Sequence, residues 1–201
     1  MARAHAPTDL ILGRLPAAFT RNAAGRAGLT HTLMDRLLSD GTLDRFGHGL
    51  LRQTEQTQDA DLDLLEAALR APAATICLNS ALAHAGLTDE IPARWDLAIP
   101  RGAYRPSGPP TASWHQFDPA TFDLGRDTMP LAPGLAIGLY SAARSIVDAF
   151  NPRTSTDQDL AITALRRWLS TPGAQPSQLL ALAAHWPNAH AALLPILRVL
   201  L

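Results

Sequence analysis

The chain has 201 residues, 47% of them hydrophobic and 17% charged, and a formal net charge of −1. This composition excludes an intrinsically disordered chain, and no apolar run approaches the roughly 20 residues of a membrane-spanning helix. A single cysteine, Cys77, excludes an internal disulfide, and the early apolar run breaks at Gly13-Arg14 without a secretory signal pattern, so we expect a cytoplasmic protein.

The first structured segment predicts two short helices joined by a tight turn. Thr20 is suited to cap a helix over residues 21–27, because its hydroxyl can accept a free N–H of the first turn. Gly28 follows as a left-handed stop. Thr30 is suited to cap a second helix over residues 31–39, with apolar residues recurring at helical spacing.

A two-stranded ribbon is expected directly after the second helix. Asp40-Gly41 is a turn dipeptide, and residues 42–46 and 49–52 are short strand candidates joined by Gly47-His48-Gly49. This order of elements is that of a winged helix-turn-helix, whose second helix lies in the DNA major groove. We therefore expect residues 1–56 to form a winged helix-turn-helix DNA-binding domain.

The outward face of the second helix and the ribbon supply the candidate DNA contacts. Leu33 and Leu37 should face the core, and arginine, threonine and histidine can bind phosphates or base edges. Residues 1–52 carry seven arginines and four aspartates, a local balance of +3, although Asp35 and Asp40 would repel phosphates. The residues expected to bind DNA are Arg21, Thr30, His31, Thr32, Arg36, Arg45, His48 and Arg52.

Residues 57–201 are expected to form a helix-rich α+β C-terminal domain with a small β-sheet, after a polar hinge over residues 53–63. An apolar helical stripe begins at Leu62 and breaks near Pro72. The expected helices that follow span 73–85, 142–150, 157–169, 177–186 and 189–201, and the expected strands span 95–99, 114–117 and 134–140.

No catalytic, metal-binding or cofactor-binding pattern is recognisable. The seven histidines form no HxH, HExxH or HxxxH pattern, and no GxSxG, P-loop or GxGxxG segment is present. Cys77 lies in an apolar run and is expected to be buried. Arg144 and Asp148 are four residues apart on one helix and are expected to pair, in a structural or partner-binding role. We therefore expect neither an enzyme nor a cofactor.

Three segments together resemble the AbiEi family of type IV toxin–antitoxin antitoxins and related transcriptional regulators, over about residues 8–170. They are FTRNAAGRAGLTHTLMDRLLSDGTLDRFGHGLLR, TICLNSALAHAGLTDEIPARWDLAIPRGAYRP and GLYSAARSIVDAF. The positions that match the family pattern are Thr20-Arg21, Gly28-Leu29-Thr30 and Arg36 in the first segment, and Ser141, Arg144, Ser145 and Asp148 in the last. Ala143 stands where the family carries glutamate, and the ribbon ends in Gly49-Leu50-Leu51-Arg52 instead of Gly-Val-Tyr-Arg.

The resemblance implies a DNA-binding transcriptional regulator that represses its own operon by binding the double-stranded DNA of the operator. Two copies of the chain on an inverted repeat could add specificity, as in a homodimer on DNA. The resemblance also implies a C-terminal domain that counteracts a nucleotidyltransferase-like toxin. The alternative, favoured by Asp35 and the modest charge, is a protein–protein interaction module that binds a toxin or dimerises without affinity for DNA.

Overall fold

The computed structural model describes residues 6–154 and 156–201 and has a mixed α+β fold with two small sheets, which confirms the predicted fold class at this level. The helices are α1 (Ala6–Leu12), α2 (Arg21–Arg26), α3 (His31–Ser39), α4 (Leu62–Arg70), α5 (Leu78–His84), α6 (Ala142–Ala149), α7 (Gln158–Leu169), α8 (Pro176–Ala183) and α9 (Pro187–Leu200). The strands are β1 (Ala18–Thr20), β2 (Leu43–Gly47), β3 (Leu50–Gln53), β4 (Thr75–Ile76), β5 (Trp95–Pro100), β6 (Ala112–Phe117), β7 (Arg126–Ala132) and β8 (Leu135–Tyr140).

The described chain divides into two compact units that are discontinuous in sequence. The first contains the described residues up to Pro72, with Pro106–Pro110 and Met129–Ile137. The second contains Ala73–Arg105, Thr111–Thr128 and Gly138–Leu201. The predicted domain boundary between residues 56 and 57 falls inside the first unit.

The helices and the ribbon predicted for the first unit are present within about one residue of their expected bounds. The side chain of Thr20 caps α2 by accepting the N–H of Ala23 at 3.1 Å, and that of Thr30 caps α3 by accepting the N–H of Leu33 at 3.3 Å. Gly28 adopts a φ of +101°, which a residue with a side chain rarely reaches and which ends α2.

Strand β1 was not predicted, and it converts the expected two-stranded ribbon into a three-stranded antiparallel sheet in the order β1-β3-β2. Phe19 pairs with Leu51 in this sheet, and both side chains are buried with Met34 and Leu37 of α3. A three-residue strand is too short for alternation to identify it. The apolar side chains of α3 and of this sheet therefore share one buried cluster.

The second sheet has the strand order β6-β5-β4-β8-β7. Our prediction of one helix over residues 73–85 was wrong in its first part, because Thr75 and Ile76 form β4, paired antiparallel with β5 and parallel with β8. Both residues are β-branched and fully buried, and pairing on both sides satisfies their backbone groups. Helix α5 begins only at Leu78, which adopts a φ of +47°.

The remaining predicted strands are confirmed as β5, β6 and β8, whereas β7 was missed. Strand β7 lies at the sheet edge, contains Pro130 and exposes the neighbouring polar side chains of Asp127 and Thr128, so no alternating pattern marks it. Helices α6 to α9 match the four helices predicted after residue 141 and bury a common core that includes Ile146, Leu165, Leu179 and Leu193. Helices α5 to α9 and strands β4, β5 and β6 lie in the second unit.

Candidate nucleic-acid interface

Helix α3 presents a polar face to solvent because its apolar residues are concentrated on the opposite side. Met34 and Leu37 are 2% and 5% exposed, and Leu33 is only half-buried, so the inward face is centred on Met34 more than we predicted. Thr30 begins the helix, and its hydroxyl is occupied by the cap hydrogen bond. The apolar periodicity of α3 therefore determines which face of the helix is buried and which face is exposed to solvent.

The exposed side chains of the predicted site without an internal partner are few. His31, Thr32 and Arg36 on α3 and His48 at the β2–β3 turn are exposed, and none of these side chains forms a hydrogen bond or ion pair with another described residue. Arg36 is therefore the arginine of α3 whose guanidinium is available to an external ligand.

Two further predicted arginines converge on a carboxylate of the same unit. The Asp35 carboxylate accepts a hydrogen bond from Arg21 Nη2 at 3.3 Å, and Arg45 Nη2 lies 4.0 Å from the same oxygen. Asp35 and Arg45 side chains are each 63% exposed, so solvent weakens these attractions. The α3 face therefore carries charges of both signs, with the Asp35 carboxylate between two arginines.

Arg52 is occupied inside the first unit. Its Nε and Nη2 donate to Asp44 Oδ2 at 3.1 and 2.8 Å, and its Nη1 lies 3.4 Å from the Thr57 carbonyl oxygen. The Arg52 hydrogen bond is the main cause that lowers the pKa of Asp44. The Arg52 side chain is 18% exposed, and its hydrogen bonds connect β3 to β2 and to the turn that follows β3.

One contact in this region was not foreseen from the sequence. The backbone N–H of Arg21 donates to the carbonyl of Gly49 at 2.8 Å, which attaches the beginning of α2 to the ribbon turn. A register shift between Arg45 and Gly47 marks a bulge in β2 close to the same turn. The hydrogen bond between Arg21 and Gly49 depends on the pairing of β1 with β3, which no local sequence pattern predicts.

Arg144 and Asp148 form the predicted pair on α6, deep in the second unit. Arg144 Nε lies 3.0 Å from both Asp148 oxygens, and the two side chains are 1% and 3% exposed. The guanidinium carbon lies 4.2 Å from the ring centroids of both Tyr140 and Trp186. Burial raises the pKa of Asp148 to about 6, against the opposing effect of the guanidinium.

Metal ligands are not clustered in the part of the chain that the structure describes. No three or more histidine, cysteine, aspartate or glutamate side chains within residues 6–154 and 156–201 are grouped to hold a metal ion. Every helix over the same residues is too short or too polar to cross a membrane.

Comparison with known proteins gives a structural likeness alone. No family model and no curated protein matches the chain. Among solved structures, the chain is similar to the RV2827C protein from Mycobacterium tuberculosis, at 16% identity and a TM-score of 0.47, over 96% of this chain and 92% of that one.

Proposed function

We propose that the chain is a DNA-binding transcriptional regulator of the AbiEi type, with a winged helix-turn-helix in its first unit that represses its own operon. The observation that carries the proposal is the exposed polar face of α3, on which His31, Thr32 and Arg36 have no internal partner among the described residues. Beside it, β2 and the ribbon turn carry Arg45 and His48.

The dimensions and chemistry of this face suit a DNA duplex. A single α-helix fits the major groove, and the wing of such a domain reaches a neighbouring phosphate or groove. Arg36 can donate two parallel hydrogen bonds to guanine, and the hydroxyl of Thr32 can serve a base or a phosphate. Arg21 begins α2, where the helix dipole adds to the attraction for a phosphate.

The experiment that tests the proposal is a binding titration of the full chain with the duplex upstream of its own gene and with a shuffled duplex of equal length. At low salt we expect preference for the upstream duplex, and affinity that falls steeply with salt. Arg36→Ala should cost about 1–3 kcal/mol of specific binding if the side chain contacts a base. The matched control, Arg105→Ala, removes an exposed arginine of the second unit.

Repression would follow from occupancy of the promoter, and two copies on an inverted repeat would increase specificity. Equal affinity for both duplexes would refute the proposal, as would equal losses from Arg36→Ala and Arg105→Ala. We further propose, from the sequence resemblance, that the chain counteracts a nucleotidyltransferase-like toxin. The test of that role is to express the toxin alone and together with this chain, and to measure whether the chain restores growth.

The second candidate function is a protein–protein interaction module. The Asp35 carboxylate between Arg21 and Arg45 favours it, because a phosphate approaching these arginines would be repelled at that point. A mixed-charge face of this kind suits a protein surface with both signs of charge. Co-purification with a protein partner, without preference for the upstream duplex, would support this alternative.

A further inference from the structure

A cavity of about 400 Å³ lies in the second unit, beyond the ends of two neighbouring parallel strands. Arg101 follows the last residue of β5, and Phe117 and Asp118 stand at the end of β6; all three line the cavity. Open sheets commonly bind ligands beyond the carboxyl ends of parallel strands. The volume is large enough for a small metabolite.

A buried cationic donor borders this cavity. Nε of Arg144 is engaged by Asp148, and Nη1 donates to the carbonyl oxygens of Thr121 and Leu124 at 2.9 and 2.6 Å. Nη2 has no hydrogen-bond partner among the described residues, although the side chain is 1% exposed and lines the cavity. Because this nitrogen has no acceptor among the described residues and its side chain lines the cavity, its N–H groups can donate to a ligand there.

The N-terminus of α9 lies against the same cavity. Trp186, Pro187 and Asn188 begin this helix of 14 residues and line the cavity, and no side chain of a described residue caps the helix. The first N–H groups of a helix have no acceptor within the helix, and its dipole places partial positive charge at this end. Both features favour an anion.

The charged side chains at the rim of the cavity also favour an anion. Arg101 and Arg153 line the cavity, are exposed and form no ion pair with a described residue. Of the two carboxylates there, Asp148 is bonded to Arg144, and Asp118 accepts the N–H of Ala120 at 2.9 Å. The cavity lining therefore holds three arginines and two carboxylates, one of which is bonded to Arg144.

We propose that this cavity is a binding site for a small metabolite that carries an oxyanion, a phosphate or a carboxylate. The charged group is held by Arg144 Nη2, the first turn of α9 and the rim arginines, Arg101 and Arg153. The Trp186 ring, which covers the Arg144 guanidinium, forms part of the wall. This site is independent of the DNA-binding role proposed for α3.

The test is a calorimetric titration of the full chain with inorganic phosphate and, separately, with acetate, in a zwitterionic buffer with ionic strength held constant by chloride. We expect saturable binding of at least one anion with a Kd on the order of 1 mM. Arg153→Gln and Arg101→Gln, at exposed positions, should each weaken binding about fivefold through loss of a charge-assisted contact. Arg105→Gln and Arg36→Gln are the matched controls and should leave the Kd unchanged.

The two anions distinguish the source of the oxyanion. Stronger binding of phosphate identifies a phosphorylated ligand, and stronger binding of acetate identifies a carboxylate. Absence of saturable binding by both anions overturns the proposal, as does binding that Arg153→Gln and Arg101→Gln leave unaltered. Loss of binding in Arg36→Gln alone would also overturn it, because that result would assign the anion to the α3 face.

Discussion

The Asp35 carboxylate accepts a hydrogen bond from Arg21 Nη2 at 3.3 Å, between residues 14 positions apart in the chain. Arg45 lies 4.0 Å from the same carboxylate oxygen. One acidic residue of α3 thus partly neutralises two of the arginines proposed to bind DNA. The charge available to a duplex is therefore set by Asp35 as much as by the arginines.

Asp35→Asn should strengthen DNA binding. Removal of the carboxylate frees Arg21 and Arg45 for phosphates, and each additional phosphate bound should steepen the slope of log K against log salt by about 0.9. Binding titrations at several salt concentrations measure this slope. Asp59→Asn, at an exposed position of the same unit, is the control. A slope unchanged by Asp35→Asn would mean that these arginines do not contact the duplex.

Thr30→Ala should lower the free energy of unfolding by about 1 kcal/mol, because the Leu33 N–H loses its cap acceptor. Thr32→Ala is the matched control two residues further along α3, where the exposed hydroxyl has no hydrogen bond to a described residue. Chemical denaturation measures both variants. Equal losses would show that the cap contributes nothing particular to α3.

Arg144→Met should destabilise the fold by about 3–5 kcal/mol, because it leaves Asp148 buried without its partner and frees the carbonyl oxygens of Thr121 and Leu124. Denaturant-induced unfolding followed by far-UV circular dichroism is the measurement. Arg167→Met removes an arginine of the exposed pair with Asp89 and should cause little change. Similar midpoints for Arg144→Met and the parent protein would contradict the structural role.

Asp148 should titrate in the folded protein with a pKa of about 6, against 3.8 for an unperturbed carboxyl. Since the folded pKa is the higher one, the native state binds the additional proton between these values. The contribution of Asp148 to the free energy of unfolding therefore falls as pH rises from about 4 to 6. Carbon-detected NMR of the carboxyl measures the pKa.

Asp148→Asn should remove this component of the pH dependence, whereas Asp159→Asn, at an exposed position on α7, should retain it. Unfolding curves collected at several pH values make the comparison. A pKa near 4 for Asp148 would show that Arg144 offsets the burial completely.

Cys77, the single cysteine of the chain, should be unreactive in the folded protein. The thiol is fully buried, and burial raises its pKa well above the usual value. Because the thiolate is the nucleophile, we expect reaction with a disulfide reagent at least about 100-fold slower than in the unfolded chain. Absorbance of the released thiolate, with and without guanidinium, measures both rates. Rapid stoichiometric reaction of the native protein would contradict this assignment.

Local signals predicted much of the fold. The side chains of Thr20 and Thr30 accept hydrogen bonds from N–H groups three residues further along the chain. Gly28 adopts a positive φ, which a residue without a side chain reaches easily. These helix ends can therefore be predicted from residues that are close in sequence. The error at Thr75 and Ile76 has the opposite origin. Their strand forms because β5 and β8 lie on either side of it, which is a relationship between distant segments.

The candidate site divides in the same way. The amphipathic pattern of α3 alone predicted that Thr32, Asp35 and Arg36 are exposed, and the structure confirms this. Local sequence patterns could not predict that Arg52 is bound to Asp44 and Thr57. Nor could they predict that one nitrogen of Arg144 has no partner among the described residues and lies at the edge of a cavity. Hydrogen bonds of this kind require the register of a sheet or the packing of a loop on a helix.

The sequence by itself determined where the capped helices begin and which side chains carry charge, because caps and periodicity act over three or four residues. Only the tertiary structure decided which charges are compensated. Electrostatic attraction depends on separation in space and on access to solvent, and Asp35, Arg21 and Arg45 come together through folding.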